Sequence, residues 1–191
     1  MRLTPAPGAP VFLDRDGTLI VEKHYLSDPD GVCLEAGVVE GLRALTQLGH
    51  PLIVLSNQSG IGRRLFTEGD AQRVNARVSD RLREHGIQIM AWYLCPHDPA
   101  TACTCRKPLP GMALAASRDW DLSLPGCYVI GDKKTDLELA DAIGGTGLLV
   151  RTGYGREYVE WATRDGRPVF DDLGGAAAFI AARDVQAAAV T

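Results

Sequence analysis

The sequence predicts an α/β protein in which a parallel sheet carries helices on both faces. Two observations point there. Short, almost wholly apolar runs alternate with segments whose apolar residues recur at helical spacing. Polar, chemically capable residues stand immediately after several of those runs. In such sheets ligands bind beyond the carboxyl ends of the strands, so these residues share one structural address.

The elements follow in order. "PVFLD" (10–14) reads as a buried strand ending in a carboxylate. Residues 38–48 place Val38, Val39, Leu42, Leu45 and Leu48 on one helical face, and Gly49 stops the helix. "PLIVLSN" (51–57) is a second strand. Thr67 with Asp70 resembles a helix start, and residues 68–85 carry Val74, Val78 and Leu82 at helical spacing before Gly86. "IQIMAWYL" (87–94) is a third strand, followed by a helix over 111–120 and a fourth strand, "CYVIGD" (127–132). A helix over 134–143 and a fifth strand, "GLLVRTG" (147–153), come next. The Ala-rich tail predicts one more helix near 174–183.

The bulk numbers restrict the function. A chain of 191 residues suits a single domain spanning 1–191. The formal net charge of −4 supplies no broad basic field for nucleic acid or an anionic membrane. No apolar run approaches the roughly 18–20 residues of a membrane span, and the N-terminus lacks a signal-peptide core, so a cytoplasmic protein is expected. Three of the five cysteines crowd into one loop, which in a reducing compartment suggests metal or redox chemistry rather than disulfides. Cys33 and Cys127 stand apart and read as small buried hydrophobes.

Four segments carry candidate chemistry. In "FLDRDGTL", Asp14 and Asp16 can hold Mg²⁺ together, one by its side chain and the other through side chain or backbone oxygen. One carboxylate can then attack phosphorus and the other serve as acid and base. An Asp-rich turn is the plain alternative; a calcium loop is disfavoured because Tyr25 stands where a bidentate Glu is needed. In "LSNQSGIG", Ser56 and Asn57 with the flexible turn at Ser59-Gly60 and Gly62 offer hydroxyls, an amide and backbone N–H groups as an anion cradle, or simply a turn. In "IGDKKTDLELA", Asp132 suits a metal ligand and Asp136 a supporting partner that orients Lys133 or the cation's waters; helix capping is the alternative. In "CRKPLPG", Lys107 can neutralise a phosphate while Arg106 grips a second anionic group.

The cysteine loop reads C-x-H-x5-C-x-C: Cys95, His97, Cys103 and Cys105, within 95–105. Zinc takes such Cys₃His sets tetrahedrally, and a site filled by four protein ligands is structural. The halves are tighter than a C-x2-C knuckle, so redox thiols beside an exposed histidine stay an alternative.

Taken in order, Asp14-Arg15-Asp16-Gly17-Thr18, Ser56, Lys107 and Gly131-Asp132 with Asp136 resemble the signatures of the haloacid dehalogenase (HAD) superfamily of aspartate-nucleophile phosphatases. The resemblance covers residues 10–153 and implies a HAD-like Rossmannoid sheet. The gaps between motifs are too short for a large cap domain. "DRDGT", "NQSGI", "CPH…CTCRKPLPGM" and "GDK" are similar to the heptose 1,7-bisphosphate 7-phosphatase group. The related histidinol-phosphate phosphatases share the zinc loop, but typically show "NQDG" and lack the Pro-Gly-Met that stands here at Pro110-Gly111-Met112.

The resemblance implies Asp14 as nucleophile, Asp16 as acid/base, and Ser56 and Lys107 as stabilisers of the transferring phosphoryl group. It implies Mg²⁺ on Asp14, Asp132 and the Asp16 backbone carbonyl, and structural Zn²⁺ on the cysteine loop. Arg106 reads the substrate; Glu22, Lys23, His24 and Tyr25, with Ser56 to Ser59, fall where the family contacts the sugar, and Lys133 is a further substrate contact. The expected partner is a small phosphorylated sugar, and a monomer is favoured. A zinc-stabilised binding module with structural aspartates is the reading from a different class.

Overall fold

A computed structural model describes residues 8–188. Six parallel strands form one sheet in the order β3-β2-β1-β4-β5-β6. The strands are β1 (Val11–Leu13), β2 (Leu52–Asn57), β3 (Ala91–Cys95), β4 (Tyr128–Gly131), β5 (Thr146–Val150) and β6 (Val169–Phe170). The helices are α1 (Val38–Gln47), α2 (Ser59–Gly62), α3 (Glu68–Arg83), α4 (Gly111–Trp120), α5 (Lys134–Ala142), α6 (Gly155–Arg164) and α7 (Leu173–Ala188), with a 3₁₀ turn at Pro29–Gly31. Loops, not an inserted cap domain, join the elements among the described residues.

Alternate residues of each strand face opposite layers, which is why the runs are apolar throughout. Val11, Leu13, Leu52, Val54, Ile130, Leu148 and Val150 pack under α1, α3 and α7. Phe12, Ile53, Leu55 and Val129 face the other way, against α4 and α5. Leu149, Leu137 and Ala162 join β5, α5 and α6 in a smaller cluster.

Three expectations shift. The third strand begins at Ala91, not at residue 87. Ile87 is instead a buried plug at the end of α3, and the Met90 N–H donates to the Leu52 carbonyl just before the strand proper. Cys127 is buried as expected, but Cys33 is exposed, so it is not a core hydrophobe. The tail carries more than one helix: α6 and β6 precede α7, which itself runs from Leu173 rather than from residue 174. No described helix is long and apolar enough to cross a membrane. Residues 1–7, on which the reading of the N-terminus partly rests, lie outside the described residues.

Contact between α1 and α7 depends on Gly41. A Cβ there would fall on the Leu173 side chain and 2.8 Å from the Leu173 carbonyl oxygen. Helix propensity alone favours replacing this glycine by up to about 1 kcal/mol. Gly41→Leu is nonetheless expected to destabilise the fold by roughly 1–3 kcal/mol through overpacking. A lower urea midpoint at unchanged m-value checks this.

Strand order places β1 between β2 and β4, so the chain's winding reverses at β1/β4. In open parallel sheets that reversal opens a crevice at the carboxyl ends. Asp14 leaves β1 and Asp132 leaves β4, directly over it.

Candidate active site

The crevice holds a cavity of about 330 Å³ lined by Asp14, Asp16, Arg106, Lys107, Lys133, Asp136 and residues of four loops. At its base, oxygens of Asp14, Asp132 and Asp136 lie within 4.8 Å of one another. All three residues are buried. Lys107 Nζ donates to Asp14 Oδ1 at 2.7 Å and to the Leu55 carbonyl at 2.6 Å, and lies 2.7 Å from Asp136 Oδ1. Asp136 Oδ2 accepts from the Lys133 backbone N–H, fixing the first turn of α5. Asp132 Oδ2 accepts from the Tyr154 backbone N–H at 2.9 Å.

Electrostatics separate these carboxyls. Burial alone pushes Asp14 up, but Lys107 and Lys133 outweigh it and hold its carboxyl below the usual range. Burial, with the charge of Asp14, pushes Asp132 up to about 8. Asp136 is raised as well, by burial that the nearby Lys107 only partly offsets. For Lys107 the acids Asp136 and Asp14 outweigh burial, and it stays firmly cationic. Lys133 is raised too: burial opposes its charge, and the surrounding acids more than offset that. The oxygen donors and their mutual repulsion fit a hard divalent cation, whose charge would reverse the upward shift at Asp132.

Gly17 lets two loops close over this cluster. Its φ is +84°, and a Cβ would run into the Asp132 carboxylate and sit 3.0 Å from Gly153 Cα. Thr152 Oγ1 donates to the Gly17 carbonyl and ties the loops together.

Asp16 stands apart from the acid cluster. Arg15 Nε and Nη2 donate to its two oxygens at 3.0 and 3.2 Å, and Gln58 Nε2 donates to Oδ2 at 2.8 Å. Gln58 also donates to Ser56 Oγ at 2.7 Å. Ser56 is buried one layer behind the cavity wall, while Asn57, Gln58 and Ser59 line it. Asn57 joins the second strand's end to the cysteine loop: its Oδ1 accepts from the Lys107 N–H and its Nδ2 donates to the Lys107 carbonyl.

The segment after β1 is only partly brought in. Glu22, His24 and Tyr25 line the cavity. Lys23 turns away, its Nζ donating to the Gly31 carbonyl at 2.8 Å. Thr18 is buried, its hydroxyl unpartnered and outside the cavity wall. Tyr154 is a cavity residue that the sequence reading missed; its hydroxyl lies 3.0 Å from His24 Nδ1 and Lys133 Nζ lies 5.0 Å from its ring centroid. It follows the fifth run just as Asp132 follows the fourth, so the rule of looking beyond strand ends would have reached it.

The cysteine loop closes the other side. Cys95 Sγ lies 3.5 Å from His97 Nδ1, 3.8 Å from Cys103 Sγ and 3.0 Å from Cys105 Sγ. His97 Nδ1 and Cys105 Sγ are 3.2 Å apart. Tetrahedral zinc holds such atoms about 3.5–3.8 Å from one another. Cys95 stands at that spacing from His97 and Cys103, while Cys105 sits closer to both Cys95 and His97; all four ligand atoms lie within 4.8 Å, a set compatible with the ion. All five cysteines are free thiols, and burial pushes Cys95 up to about 12. Arg106 comes directly after Cys105, and its Nη1 is buried without a hydrogen-bond partner beside the cavity.

Known proteins share this architecture. A family model described as HAD-hydrolase-like matches residues 104–176. A D-glycero-beta-D-manno-heptose-1,7-bisphosphate 7-phosphatase of Yersinia pestis is 38% identical over 151 residues, 75% of this chain and 80% of the relative. The chain belongs to the HAD-like heptose-bisphosphate phosphatase family. Another family member, the phosphatase of the same name from Pseudomonas putida, is 35% identical over 168 residues, covering 85% of this chain and 94% of its own. The crystal structure of D,D-heptose 1,7-bisphosphate phosphatase from B. bronchiseptica, complexed with magnesium and phosphate, matches with a TM-score of 0.85 at 31% identity. It covers 92% of this chain and 99% of that one.

Proposed function

We propose that this family member removes the 7-phosphate from D-glycero-D-manno-heptose 1,7-bisphosphate, using Asp14 as nucleophile. The observation that carries the reading is the pairing of two anion-binding positions on one cavity. Asp14 and Lys107 stand at its base, and Arg106 offers a buried donor with no protein partner. A buried, unpaired arginine N–H is costly unless an anionic ligand meets it. A bisphosphate satisfies both positions at once.

Asp14, Asp132 and the Asp16 backbone carbonyl would hold Mg²⁺, with Asp136 in support. Bound there, the cation neutralises charge on the phosphoryl oxygens. Lys107 adds a fixed positive charge to the same group, with Ser56 behind it in support. An Asp14 oxygen attacks phosphorus, and the bond from phosphorus to the C7 oxygen breaks. Asp16 gives its proton to that oxygen. It then takes a proton from the water that attacks the aspartyl-phosphate, which frees Asp14 and inorganic phosphate. Glu22, His24, Tyr25, Asn57, Gln58, Ser59 and Lys133 line the sugar's path, and Arg106 meets the 1-phosphate. Lys23 takes no part in this reading, because it does not line the cavity and its ammonium reaches the Gly31 carbonyl instead.

Structural Zn²⁺ on Cys95, His97, Cys103 and Cys105 would hold the loop that presents Arg106 and Lys107. The heptose 1-phosphate product is what a nucleotidyltransferase requires, so we take the step to serve nucleotide-activated heptose, a lipopolysaccharide precursor, made in the cytoplasm. We take the chain as one catalytic unit acting as a monomer.

A substrate panel tests the reading. The β-anomer of the heptose bisphosphate is expected to give the highest kcat/KM, as the names of the relatives suggest. Loss of the second phosphate removes a charge-assisted contact worth about 1.5–3 kcal/mol, so a heptose 7-phosphate should turn over roughly 10- to 100-fold less efficiently. A large margin in favour of histidinol phosphate would sink the proposal.

A further inference from the structure

A buried asparagine on the apolar face of α3 lacks a role in the chemistry above. Ala71, Val74, Asn75, Val78 and Leu82 form the buried stripe of that helix. Asn75 is the polar member, 9% exposed. Buried polar groups in a packed stripe need a specific partner, and this one has it: Arg15 Nη1 donates to Asn75 Oδ1 at 2.8 Å.

Arg15 itself is 1% exposed, among the largest fully buried side chains. Burying a guanidinium is expensive unless its N–H groups are met. Its Nε and Nη2 edge grips both oxygens of Asp16, and its remaining nitrogen reaches Asn75. A guanidinium is planar and rigid, so anchoring Nη1 fixes the plane of the fork. The fork then fixes the Asp16 carboxylate, with Gln58 holding Oδ2 from the other side. Arginine has no acceptor, so Asn75 must present its carbonyl oxygen.

We propose that Asn75 is a positioning residue for the acid/base step: through Arg15 it aims the carboxylate of Asp16 at the leaving oxygen. This rests on the phosphatase reading and on Asp16 as proton donor. The consequence is specific to the leaving group. An alkoxide needs a proton as it departs, whereas a nitrophenolate does not.

The test compares Asn75→Leu and Asn75→Asp with the wild-type chain in single-turnover, rapid-quench measurements of aspartyl-phosphate formation. The substrates are the heptose bisphosphate and p-nitrophenyl phosphate. Asn75→Leu removes the acceptor while keeping the same branched heavy-atom skeleton; Asn75→Asp keeps an oxygen where Arg15 needs one. General acid catalysis contributes about 10²–10⁴-fold, so misaiming is expected to slow the heptose ester roughly tenfold or more. The nitrophenyl ester should slow by no more than about twofold, and KM for the heptose ester should hold within a similar factor. Asn75→Asp should recover most of the lost rate. The ratio of the two rates in one preparation is independent of the folded fraction, so any loss of stability in Asn75→Leu does not obscure it. An equal fall with both esters, no fall with either, or Asn75→Asp behaving like Asn75→Leu would overturn the proposal. Wild-type protein that releases phosphate from neither ester would overturn the phosphatase reading and this inference with it.

Discussion

Asp14→Asn is expected to lower phosphate release by at least on the order of 10³-fold while leaving the protein folded. The size follows from losing the attacking group, which no neighbour replaces: Asp16 is held by Arg15 and Gln58, and Asp132 by the Tyr154 N–H. The tolerance of the fold follows from isostery. Asparagine keeps an oxygen for Lys107 Nζ, and that ammonium keeps its ion pair with Asp136 at 2.7 Å. Removing the Asp14 charge also relieves one cause of the rise at Asp132, so that carboxyl should ionise more readily, while burial, the larger cause, still holds it above the ordinary range. The sign is fixed: less negative charge nearby makes ionisation easier. Phosphate release under steady-state conditions, with a thermal melt as control, checks both halves. A variant retaining a tenth of the wild-type rate would mean that Asp14 is not the nucleophile.

Much of this arrangement is legible in the sequence because parallel strands buried on both faces are written as unbroken apolar runs. β1, β2, β4 and β5 are such runs, and Asp14, Ser56 and Asp132 stand at the ends of three of them. The edge strands are less legible. β3 is only half-buried over most of its length, and β6 has two residues, too few for any pattern. α6 was invisible for a related reason. Its buried residues are Gly155 and Ala162, so the stripe that makes it amphipathic is mostly half-exposed aromatic surface. The four candidate zinc ligands were legible as a cluster, and the structure gathers all four. The Arg15–Asn75 link was not, because a polar residue in a helical stripe reveals its partner only once α3 lies against the first loop. Lys23 shows a limit of the same kind: adjacency to contact residues in sequence does not say where a long side chain points, and here it reaches the Gly31 carbonyl.

The cysteine loop offers the other large effect. Cys105→Ala is expected to cut zinc content from about one per chain to a small fraction, and activity by roughly 10- to 100-fold. Cys105 Sγ sits 3.0 Å from Cys95 Sγ and 3.2 Å from His97 Nδ1, so its loss opens the centre of the ligand set. Activity should follow because the next two residues are Arg106 and Lys107, and their backbone has no helix or strand of its own to hold it. Two hydrogen bonds between the Asn57 side chain and the Lys107 backbone would remain, which is why the loss should be large without being total. Cys33→Ala, exposed and far along the chain, is the control expected to change neither zinc nor rate. Zinc retention should also depend on pH with a definite sign. Without metal, burial pushes the Cys95 thiol up to about 12, so zinc must displace its proton to bind. Affinity therefore falls as pH falls, and a chelator should strip the ion faster at pH about 5.5 than at about 8. Metal analysis beside activity, with Mg²⁺ held in excess throughout, separates the holder from the catalyst. Fully active protein that carries no zinc would show that the thiols are not needed to place Arg106 and Lys107.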